Sequence, residues 1–483
     1  MRAAAAADGA PRAAAWLVLA ALLTGPGCAD EGPAPIGATV LWTTPIDSAG
    51  TSSPRVADLN GDGVREVVLG AGREQQMGSI TVLSGTGGQV VWQRQYHDEV
   101  YASPVLMDVD GDGLDDVVCG RRKRGGGLQA LSGTNGAVLW GLRAVNPDAD
   151  LPDTHFNSPV PCPDLDDDGV DDLVCLQGGG QDQTRPPGRL HLVSGRSGAL
   201  LATLVMPDGR ESYQVPSLDV LDRPPDGRRI VIGTGGETVP GHLMSLTFPG
   251  LEERWRVPSR AKGWVAAARL HDFAGHGVRD VVAVSFDGQV VRVDGETGRI
   301  VWQRDHDGFE TYVTPGLGRF DGREGLDVVV ALSKGTWPVY AEHAVIAWLD
   351  GETGELLEEQ RFGVMATNQP LVLDVDGDGW DEVLIATNLG FGPVRATIDA
   401  RLVVFDGRTR RPRMDVPFHG FIATTPWLGD LDDDGRLDVV AASWGALSRL
   451  ALDLPSDVYV RWNQYRGPRL DGVVARERLA PDE

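Results

Sequence analysis

The sequence predicts an all-β protein of four-stranded antiparallel units, and three observations carry the prediction. Val-rich apolar runs alternate with Gly-containing turns, and 63 of the 483 residues are Gly. A two-part unit recurs roughly every 50–56 residues along the chain. No helical periodicity is long enough to supply a crossover between parallel strands. Because such a sheet cannot bury its own face, the units must pack radially as the blades of a β-propeller.

The N-terminus has the features of an export signal. Arg2 and Arg12 precede the apolar run AAAWLVLAALL at 13–23, which is too short to span a bilayer. The segment that ends at Cys28 resembles a bacterial lipoprotein signal, in which Cys28 becomes the lipidated first residue. The alternative is ordinary cleavage nearby without lipidation. Residues 29–37 are then predicted to be a flexible tether.

The inner part of each unit is a strand, an acidic loop and a Val-rich strand. Intact copies are SPRVADLNGDGVREVVLG (53–70), SPVLMDVDGDGLDDVVCG (103–120), SPVPCPDLDDDGVDDLVCL (158–176), QPLVLDVDGDGWDEVLIA (369–386) and TPWLGDLDDDGRLDVVAA (425–442). Degenerate copies are VPSLDVLDRPPDGRRIVIG (215–233), AAARLHDFAGHGVRDVVAV (266–284) and TPGLGRFDGREGLDVVVA (314–331). These copies predict eight blades, or seven if one degenerate copy is an insertion.

The outer part of each unit is a hairpin, and several copies end in Trp. TVLSGTGGQVVW (81–92) and VRVDGETGRIVW (291–302) have two β-rich runs around a Gly-containing turn. ATVLW (38–42) matches the last strand of such a hairpin but lacks the rest of the unit. We predict that it completes the last blade and closes the ring, although VYVRW (458–462) competes for that position. The propeller is thus predicted over 38–463, with a C-terminal tail over 464–483.

The spacing D-x-[DN]-x-D-G-x-x-[DE] predicts calcium-binding hairpin loops. Oxygen ligands at positions 1, 3, 5 and 9, with a carbonyl at position 7, suit a hard cation with six or more ligands. An EF-hand would place its last acid at position 12 between helices, whereas here the flanks are strands. About five structural Ca²⁺ sites are predicted. The predicted side-chain ligands are Asp58, Asn60, Asp62, Glu66, Asp108, Asp110, Asp112, Asp116, Asp164, Asp166, Asp168, Asp172, Asp374, Asp376, Asp378, Glu382, Asp430, Asp432, Asp434 and Asp438. The predicted carbonyl ligands are those of Val64, Leu114, Val170, Trp380 and Arg436.

The degenerate loops are predicted to be metal-free. Pro224 and Pro225 occupy the loop of the fourth copy, and Ala274 replaces an acid in the fifth. In the sixth copy, Arg319 and Arg323 stand where acids are expected. An arginine there is a candidate to replace the positive charge of the cation.

The inner motif resembles the FG-GAP or VCBS repeats of integrin-α-like propellers over residues 38–463. The intact loops match the calcium motif of that family residue for residue, which implies structural calcium. The Trp-ending outer motif and WNQYRGPRLDG (462–472) also resemble pyrroloquinoline-quinone propellers.

The face opposite the acidic loops is the predicted ligand face. It collects the connections into the first strand of each blade and those between the second and third strands, and variable loops of this kind usually build binding sites. The alternative is that its aromatic residues only plug the channel. The candidate residues are His97, Tyr101, His155, Phe156, Tyr213, Trp264, Tyr312, His419 and Phe421.

The net charge and the motifs limit the classes of function that this chain can have. A formal net charge of −25 argues against nucleic acid as a partner. We expect a monomeric, non-enzymatic module for adhesion or binding of protein or glycan, lipid-anchored at the cell envelope or secreted. The alternatives are a polysaccharide-lyase-like enzyme that acts on glycans and a quinoprotein dehydrogenase, although the adjacent cysteine pair often found in the latter is absent. Cys162 and Cys175 flank one acidic loop and either form a disulfide or are small buried hydrophobic residues.

Overall fold

The computed structural model describes residues 33–46, 50–73, 76–121, 127–143, 155–178, 186–221, 223–336, 339–392 and 398–479. The predicted signal segment with Cys28, and most of the tether, lie outside these residues. Within them, the one helical element is a 3₁₀ turn at Pro225–Gly227, and no helix is long and apolar enough to cross a membrane. Residues from Ala34 onward form one compact unit.

Eight antiparallel sheets confirm the eight-bladed β-propeller and rule out the alternative of seven. Blade 1 contains β2 (Arg55–Ala57), β3 (Glu66–Gly72), β4 (Gly78–Ser84) and β5 (Val90–Tyr96). Blade 2 contains β6 (Val105–Met107), β7 (Asp116–Gly120), β8 (Gly127–Leu131) and β9 (Val138–Arg143). Blade 3 contains β10 (His155–Phe156), β11 (Val160–Cys162), β12 (Asp172–Gly178), β13 (Arg189–Val193) and β14 (Leu200–Val205). Blade 4 contains β15 (Ser217–Asp219), β16 (Arg229–Gly233), β17 (His242–Thr247) and β18 (Glu253–Pro258).

The second half of the ring repeats this order. Blade 5 contains β19 (Arg269–His271), β20 (Asp280–Val284), β21 (Gln289–Val293) and β22 (Ile300–Asp305). Blade 6 contains β23 (Phe309–Glu310), β24 (Gly316–Gly318), β25 (Asp327–Thr336), β26 (Val339–Leu349) and β27 (Leu356–Gly363). Blade 7 contains β28 (Leu371–Asp374), β29 (Glu382–Asn388), β30 (Asp399–Phe405) and β31 (Pro412–His419). Blade 8 contains β32 (Trp427–Gly429), β33 (Arg436–Ser443), β34 (Ala446–Pro455) and the N-terminal strand β1 (Ala38–Pro45).

The ring closes through β1, as the sequence predicted. This strand pairs antiparallel with β34, from Ala38 opposite Leu452 to Pro45 opposite Ala446. The last blade therefore takes three strands from the C-terminal part of the chain and one from its start. The competing segment forms β35 (Tyr459–Trp462), which pairs instead with β28, the innermost strand of blade 7.

The chain after blade 8 enters the central channel. β35 leads to a turn at 463–472, and the chain returns along Val473 to β36 (Glu477–Arg478), which pairs with β35. Val473 forms a parallel bridge with Leu270 of blade 5. We call residues 459–478 the plug, because they fill the space that the inner strands surround.

Two sets of hydrogen bonds join neighbouring blades. Five tryptophans of outer strands donate from Nε1 to a glycine carbonyl in the next blade at 2.6–3.0 Å. The pairs are Trp42–Gly85, Trp92–Gly133, Trp140–Gly195, Trp255–Gly295 and Trp302–Gly351. The repeated Trp of the outer motif is therefore an inter-blade contact. Gly198 illustrates the fit: at φ +69°, an added Cβ would lie 2.5 Å from the Trp140 ring.

The second set explains the recurring Ser-Pro and Thr-Pro dipeptides. The backbone N–H of Gln369 donates to Thr425 Oγ1 at 3.0 Å, and the N–H of Thr425 donates to Ser53 Oγ at 3.0 Å. The N–H of Ser53 donates to Ser103 Oγ at 2.9 Å, and that of Ser103 donates to Ser158 Oγ at 2.8 Å. The hydroxyls therefore link blades 7, 8, 1, 2 and 3 around the channel.

Candidate functional site

The structure brings predicted ligands of the acidic loops together in four blades. In blades 2, 3, 7 and 8, carboxylates from loop positions 1, 3 and 9 offer oxygens within 4.8 Å of one another, so each set could hold a metal ion. The sets are Asp108, Asp110 and Asp116; Asp164, Asp166 and Asp172; Asp374, Asp376 and Glu382; and Asp430, Asp432 and Asp438. These oxygen-only donor sets fit a hard cation such as Ca²⁺.

The carboxylates at loop position 5 lie outside these sets and hold the loop backbone instead. Asp112 Oδ1 accepts a hydrogen bond from Leu114 N at 2.9 Å, and Asp378 Oδ1 accepts one from Trp380 N at 2.8 Å. In blade 1, the position-3 residue is Asn60, whose Nδ2 donates to Glu66 Oε1 at 3.2 Å. Blade 1 thus offers one carboxylate fewer than the other four loops.

The carboxylate at loop position 9 is buried and ties the loop to the rest of its blade. Asp116 Oδ2 accepts from Val109 N at 3.1 Å, while Oδ1 accepts from Gly133 N in the outer hairpin at 3.1 Å. Burial raises the pKa of Asp116 to about 6 and that of Glu382 to about 8. A cation bound here would therefore displace a proton from Glu382 at neutral pH.

Arginines already contact the ligand sets of blades 7 and 8. Arg449 Nη2 lies 2.7 Å from Asp432 Oδ2 and 2.8 Å from Asp438 Oδ2. Arg413 Nη1 lies 2.7 Å from the Oδ2 atom of Asp376.

In contrast, no Lys or Arg of the described chain forms an ion pair with the sets of blades 2 and 3. In blade 3, Arg196 Nε lies 3.8 Å from Asp168 Oδ1, which belongs to position 5 and not to the converging set. The converging sets therefore divide into two classes, with an arginine partner in blades 7 and 8 and without one among the described residues in blades 2 and 3.

Arginine replaces a cation most fully in blade 6. Asp321, Asp327 and Asp350 converge as the ligand sets do, but Arg323 Nη2 contacts both Asp321 and Asp350. Burial raises the pKa of Asp327 to about 7. The guanidinium thus lies where the sequence suggested that an arginine could replace the charge of an ion.

Blade 4 shows the same substitution around a single acid. Asp219 Oδ2 lies 2.9 Å from Arg223 Nη2 and 3.1 Å from Arg229 Nη2, and Arg279 contacts its Oδ1. Among the described residues, no second carboxylate converges with Asp219 in a ligand-like set, and three arginines surround it instead.

The predicted ligand-face residues separate into three groups. Phe156, Trp264 and Phe421 are fully buried in the blade cores and contribute no surface. His97, just after the last strand of blade 1, and His419, the last residue of β31 in blade 7, are exposed. Tyr101, His155, Tyr213 and Tyr312 lie at the inner ends of connections, where they are buried or half-buried.

Three of these residues form one aromatic contact group. The His155 ring stacks on Tyr213 with centroids 5.6 Å apart and meets Tyr101 edge-on at 5.4 Å. The Tyr101 hydroxyl donates to Asn157 Oδ1, and Asn157 Nδ2 donates to the carbonyl of Tyr213 at 3.0 Å. The Asn157 amide therefore links the Tyr101 hydroxyl of one connection to the Tyr213 backbone of another.

Next to this group lies a set of carboxylates that sequence reasoning missed. We define the acidic–aromatic cluster as Glu211, Tyr213, Glu237, Lys262, Glu310 and Tyr312. The Tyr213 hydroxyl donates to Glu211 Oε2 at 3.1 Å, and the Tyr312 hydroxyl donates to Glu237 Oε1 at 2.6 Å. Lys262 Nζ contacts Glu310 Oε1.

The carboxylates of this cluster influence one another. Burial raises the pKa of Glu237, the hydrogen bond from Tyr312 opposes the rise, and the charges of Glu211 and Glu310 add to it. The sequence offered one signal for the cluster, because Glu237 lies in a loop on the predicted ligand face. The pairing across blades 3 to 6 depends on the ring and could not be read from spacing.

A separate cleft lies between the outer parts of blades 7 and 8. Its volume is about 450 Å³, and its lining includes Val40, Phe418, His419, Trp444 and Ser448. The His419 ring is largely exposed, with Nδ1 3.3 Å from Asp399 Oδ1. The cleft is thus far around the ring from the acidic–aromatic cluster.

Comparison with curated proteins finds partial relatives. No protein-family model matches the chain. Mouse FAM234B is 33% identical over 174 residues, which are 33% of this chain and 26% of that protein. Human FAM234B is 31% identical over 172 residues, 32% of this chain and 26% of that protein. The match therefore spans about a quarter of the length of these relatives.

Solved structures share the fold at low sequence identity. BamB from Moraxella catarrhalis has a TM-score of 0.50 and 15% identity over 86% of this chain and 97% of that one. A europium-containing methanol dehydrogenase has a TM-score of 0.60 and 11% identity over 86% and 93%. Quinohemoprotein alcohol dehydrogenase from Comamonas testosteroni has a TM-score of 0.56 and 11% identity over 86% and 76%. At these identities the likeness extends to the propeller fold alone.

Proposed function

We propose that this chain is a non-enzymatic binding module for protein or glycan, exported and held at the cell envelope by a lipid on Cys28. Its ligand face is the one opposite the acidic loops. The observation that supports this most is the acidic–aromatic cluster, in which half-buried tyrosine rings lie beside carboxylates at the inner ends of several connections. Since one chain supplies all eight blades, we expect it to act as a monomer.

The chemistry of the cluster favours hydroxyl-rich or basic ligands. Tyrosine rings can stack on the apolar face of a sugar, and carboxylates accept hydrogen bonds from its hydroxyls. Three carboxylates face a single ammonium group, so an anionic ligand such as nucleic acid is disfavoured. Calcium would act in the scaffold and leave this face to the ligand.

A binding screen tests this proposal. The purified protein, Tyr213→Ala and Glu237→Gln are screened against arrayed glycans and envelope proteins, with Tyr459→Ala as the matched control. Tyr459 is an exposed tyrosine beside the blade 7 acidic loop. We expect a ligand whose affinity falls at least tenfold in the two cluster variants and is unchanged in the control. Equal binding by all four proteins would place the ligand elsewhere and contradict the proposal.

We also infer that the acidic loops hold Ca²⁺ as a structural ion. Mg²⁺ fits less well because it keeps its waters and demands strict octahedral geometry. After dialysis against micromolar Ca²⁺, metal analysis is expected to find up to five ions per chain, and a chelator is expected to lower the melting temperature. A metal-free protein whose melting temperature is unaffected by the chelator would contradict the inference.

One observation favours a second function, a glycan-active enzyme. The half-buried carboxyl of Glu237 has a raised pKa and accepts a hydrogen bond from a tyrosine hydroxyl, an arrangement suited to acid–base catalysis. The test is incubation with pectin-like polymers. Release of shortened chains by the wild type, but not by Glu237→Gln, would show that the protein is a glycan-active enzyme and not a non-enzymatic binding module.

A further inference from the structure

The central channel contains three buried arginines without a carboxylate of their own. Arg55 and Arg269 occupy equivalent positions in the first strands of blades 1 and 5, on opposite sides of the ring, and Arg466 lies at the tip of the plug. Their exposed fractions are 3%, 0% and 1%. Guanidinium groups remain charged in proteins, so three cations lie out of water in one channel.

The neutral groups around the arginines satisfy only part of their hydrogen bonding. Arg55 Nε donates to Pro104 O at 2.9 Å, and Arg269 Nε donates in the same way to Pro315 O at 2.7 Å. The other acceptors are Gln464 Oε1 and Tyr465 O for Arg55, Gln369 Oε1 for Arg269, and Ser217 Oγ and Pro216 O for Arg466. Each of these acceptors is uncharged.

Two nitrogen atoms of these guanidinium groups have no acceptor among the described residues. Arg269 Nη1 and Arg466 Nε are buried and have no hydrogen-bond partner in the described chain. Arg466 also lies close enough to Arg55 and Arg269 for its charge to add to the effect of burial in lowering the pKa of both. A buried charge with unpaired N–H groups is strongly disfavoured unless an opposite charge compensates it.

The nearby acidic groups do not supply that compensation. Asp471 acts on Arg466, but it also lies 3.4 Å from Arg469, and no carboxylate acts on Arg55 or Arg269. Burial raises the pKa of Tyr465, so its hydroxyl stays protonated at neutral pH. The positive charge of the channel therefore exceeds the negative charge that the described side chains bring.

We propose that the channel encloses a small inorganic anion at the tip of the plug, bound by the two unpartnered donors, Arg269 Nη1 and Arg466 Nε. Chloride, sulfate and phosphate share the required chemistry, since each accepts charge-assisted hydrogen bonds from guanidinium groups. The anion ties blade 5 to the C-terminal segment. This site is independent of the acidic loops and of the ligand face.

Equilibrium unfolding of the full chain tests the site, because unfolding releases a trapped ion. Chloride, sulfate and phosphate are titrated separately at constant ionic strength, with a bulky organic sulfonate making up the balance. For one of these anions, each tenfold rise in its concentration above its Kd is expected to raise the folded-to-unfolded ratio tenfold. This is the dependence expected when the folded protein binds one ion and the unfolded chain binds none. Arg466→Gln is expected to lose this response. The control is Arg292→Gln, which removes a buried arginine that has a carboxylate partner, Asp280. This variant is expected to keep the response to the anion.

Anomalous diffraction gives a second measurement on the unaltered protein. Crystals grown with bromide or selenate are expected to show one peak within hydrogen-bond distance of Arg269 Nη1 and Arg466 Nε. Ordered waters alone at this position would overturn the proposal. So would an identical anion response of wild type and Arg466→Gln. If Arg466→Gln does not fold, the anion response of Arg269→Lys and the anomalous map of the wild type decide.

Discussion

Arg449 and Arg292 occupy the same position in blades 8 and 5, where they lie opposite Val440 and Val282 across the strand pair. Each pairs with the position-9 carboxylate of its loop, Asp438 or Asp280. Only blade 8 has a full ligand set around that carboxylate. At the scale of the residue, the same guanidinium is thus a structural partner in blade 5, whereas in blade 8 it would compete with any ion that the set binds.

Arg449→Gln is expected to strengthen calcium binding in blade 8 by about tenfold or more, because the ion no longer competes with a charge 2.7–2.8 Å from the ligands. Without calcium, the variant is expected to lose about 3 kcal/mol, since it leaves buried carboxylates unpaired. Calcium titration calorimetry and urea unfolding with and without chelator measure both effects. Arg292→Gln is the control: calcium should not restore its stability, and if it does, the blade 5 assignment is wrong.

His191 gives the protein a sensitivity to acid. Burial, aided by the charge of Arg189, lowers the pKa of the ring to about 4, and the ring bonds to Thr203 and Gln177. Because the unfolded chain takes up this proton near pH 6.5, the folded state binds fewer protons between pH 6.5 and 4, and the free energy of unfolding falls as the pH drops through that window. The full effect is about 3 kcal/mol.

His191→Gln is therefore expected to flatten the acid limb of the stability curve. Urea unfolding at pH 7.5 and pH 4.5 should show a smaller loss for the variant than for the wild type, by roughly 2–3 kcal/mol. His97→Gln, at an exposed position, serves as the control and should follow the wild type. Parallel curves for all three proteins would exclude His191 as the group responsible.

At the scale of the element, the outer strand of a blade is joined to the next blade through the side chain of one residue. The indole of Trp140 donates to the Gly195 carbonyl of the next blade at 2.8 Å, and its ring packs on Gly198. Blade 3 has Ala202 at the equivalent place, and blade 6 uses Gln360, which donates to the Arg410 carbonyl at 2.9 Å. The junctions between blades therefore differ in strength, although the strands themselves are alike.

Trp140→Phe is expected to lower the free energy of unfolding by about 1–2 kcal/mol, because it keeps most of the ring packing but leaves the buried carbonyl without its donor. Trp380→Phe is the matched control. Trp380 is half-buried and makes no inter-blade indole bond in the described chain. Equal stabilities of the two variants in chemical denaturation would show that the indole hydrogen bond contributes nothing to the junction.

At the scale of the whole molecule, the two ends of the chain stabilise the ring. β1 completes blade 8, and Trp42 then reaches Gly85 in blade 1. The plug fills the channel with Trp462, over which the Arg269 guanidinium lies 3.2 Å from the ring centroid. Because Ala38 near the start of the described chain pairs with Leu452 near its end, the propeller is complete only when the last strands are in place.

Deletion of residues 1–45 is expected to open the ring and to destabilise the protein by more than about 4 kcal/mol, since blade 8 loses its outer strand and its junction with blade 1. Deletion of residues 1–32 alone is the control and is expected to leave the melting temperature unchanged. Differential scanning calorimetry of both forms measures the effect. A closed, equally stable propeller without β1 would contradict the assigned closure.

The sequence alone allowed the blade count, the closing strand and the metal-loop register to be predicted. Each depends on local pattern: the period-2 strands, the Gly turns and the D-x-[DN]-x-D-G spacing act within one hairpin. The aromatic residues were predicted less well. Phe156 and Trp264 stand in connections of the same kind as those of Tyr101 and Tyr213, yet they point into the core. Sequence position gives the connection but not the direction of a side chain in an irregular segment.

What the sequence determined by itself is the repeating hairpin, because its hydrogen bonds and ligands come from residues within about one blade of each other. Only the tertiary structure decided what faces the channel. Ring closure placed Arg55 and Arg269 on opposite walls, turned β35 inward against β28 and brought Arg466 between them. It also assembled Glu211, Glu237 and Glu310 from separate connections. These contacts depend on the curvature of the closed ring, which no local pattern encodes.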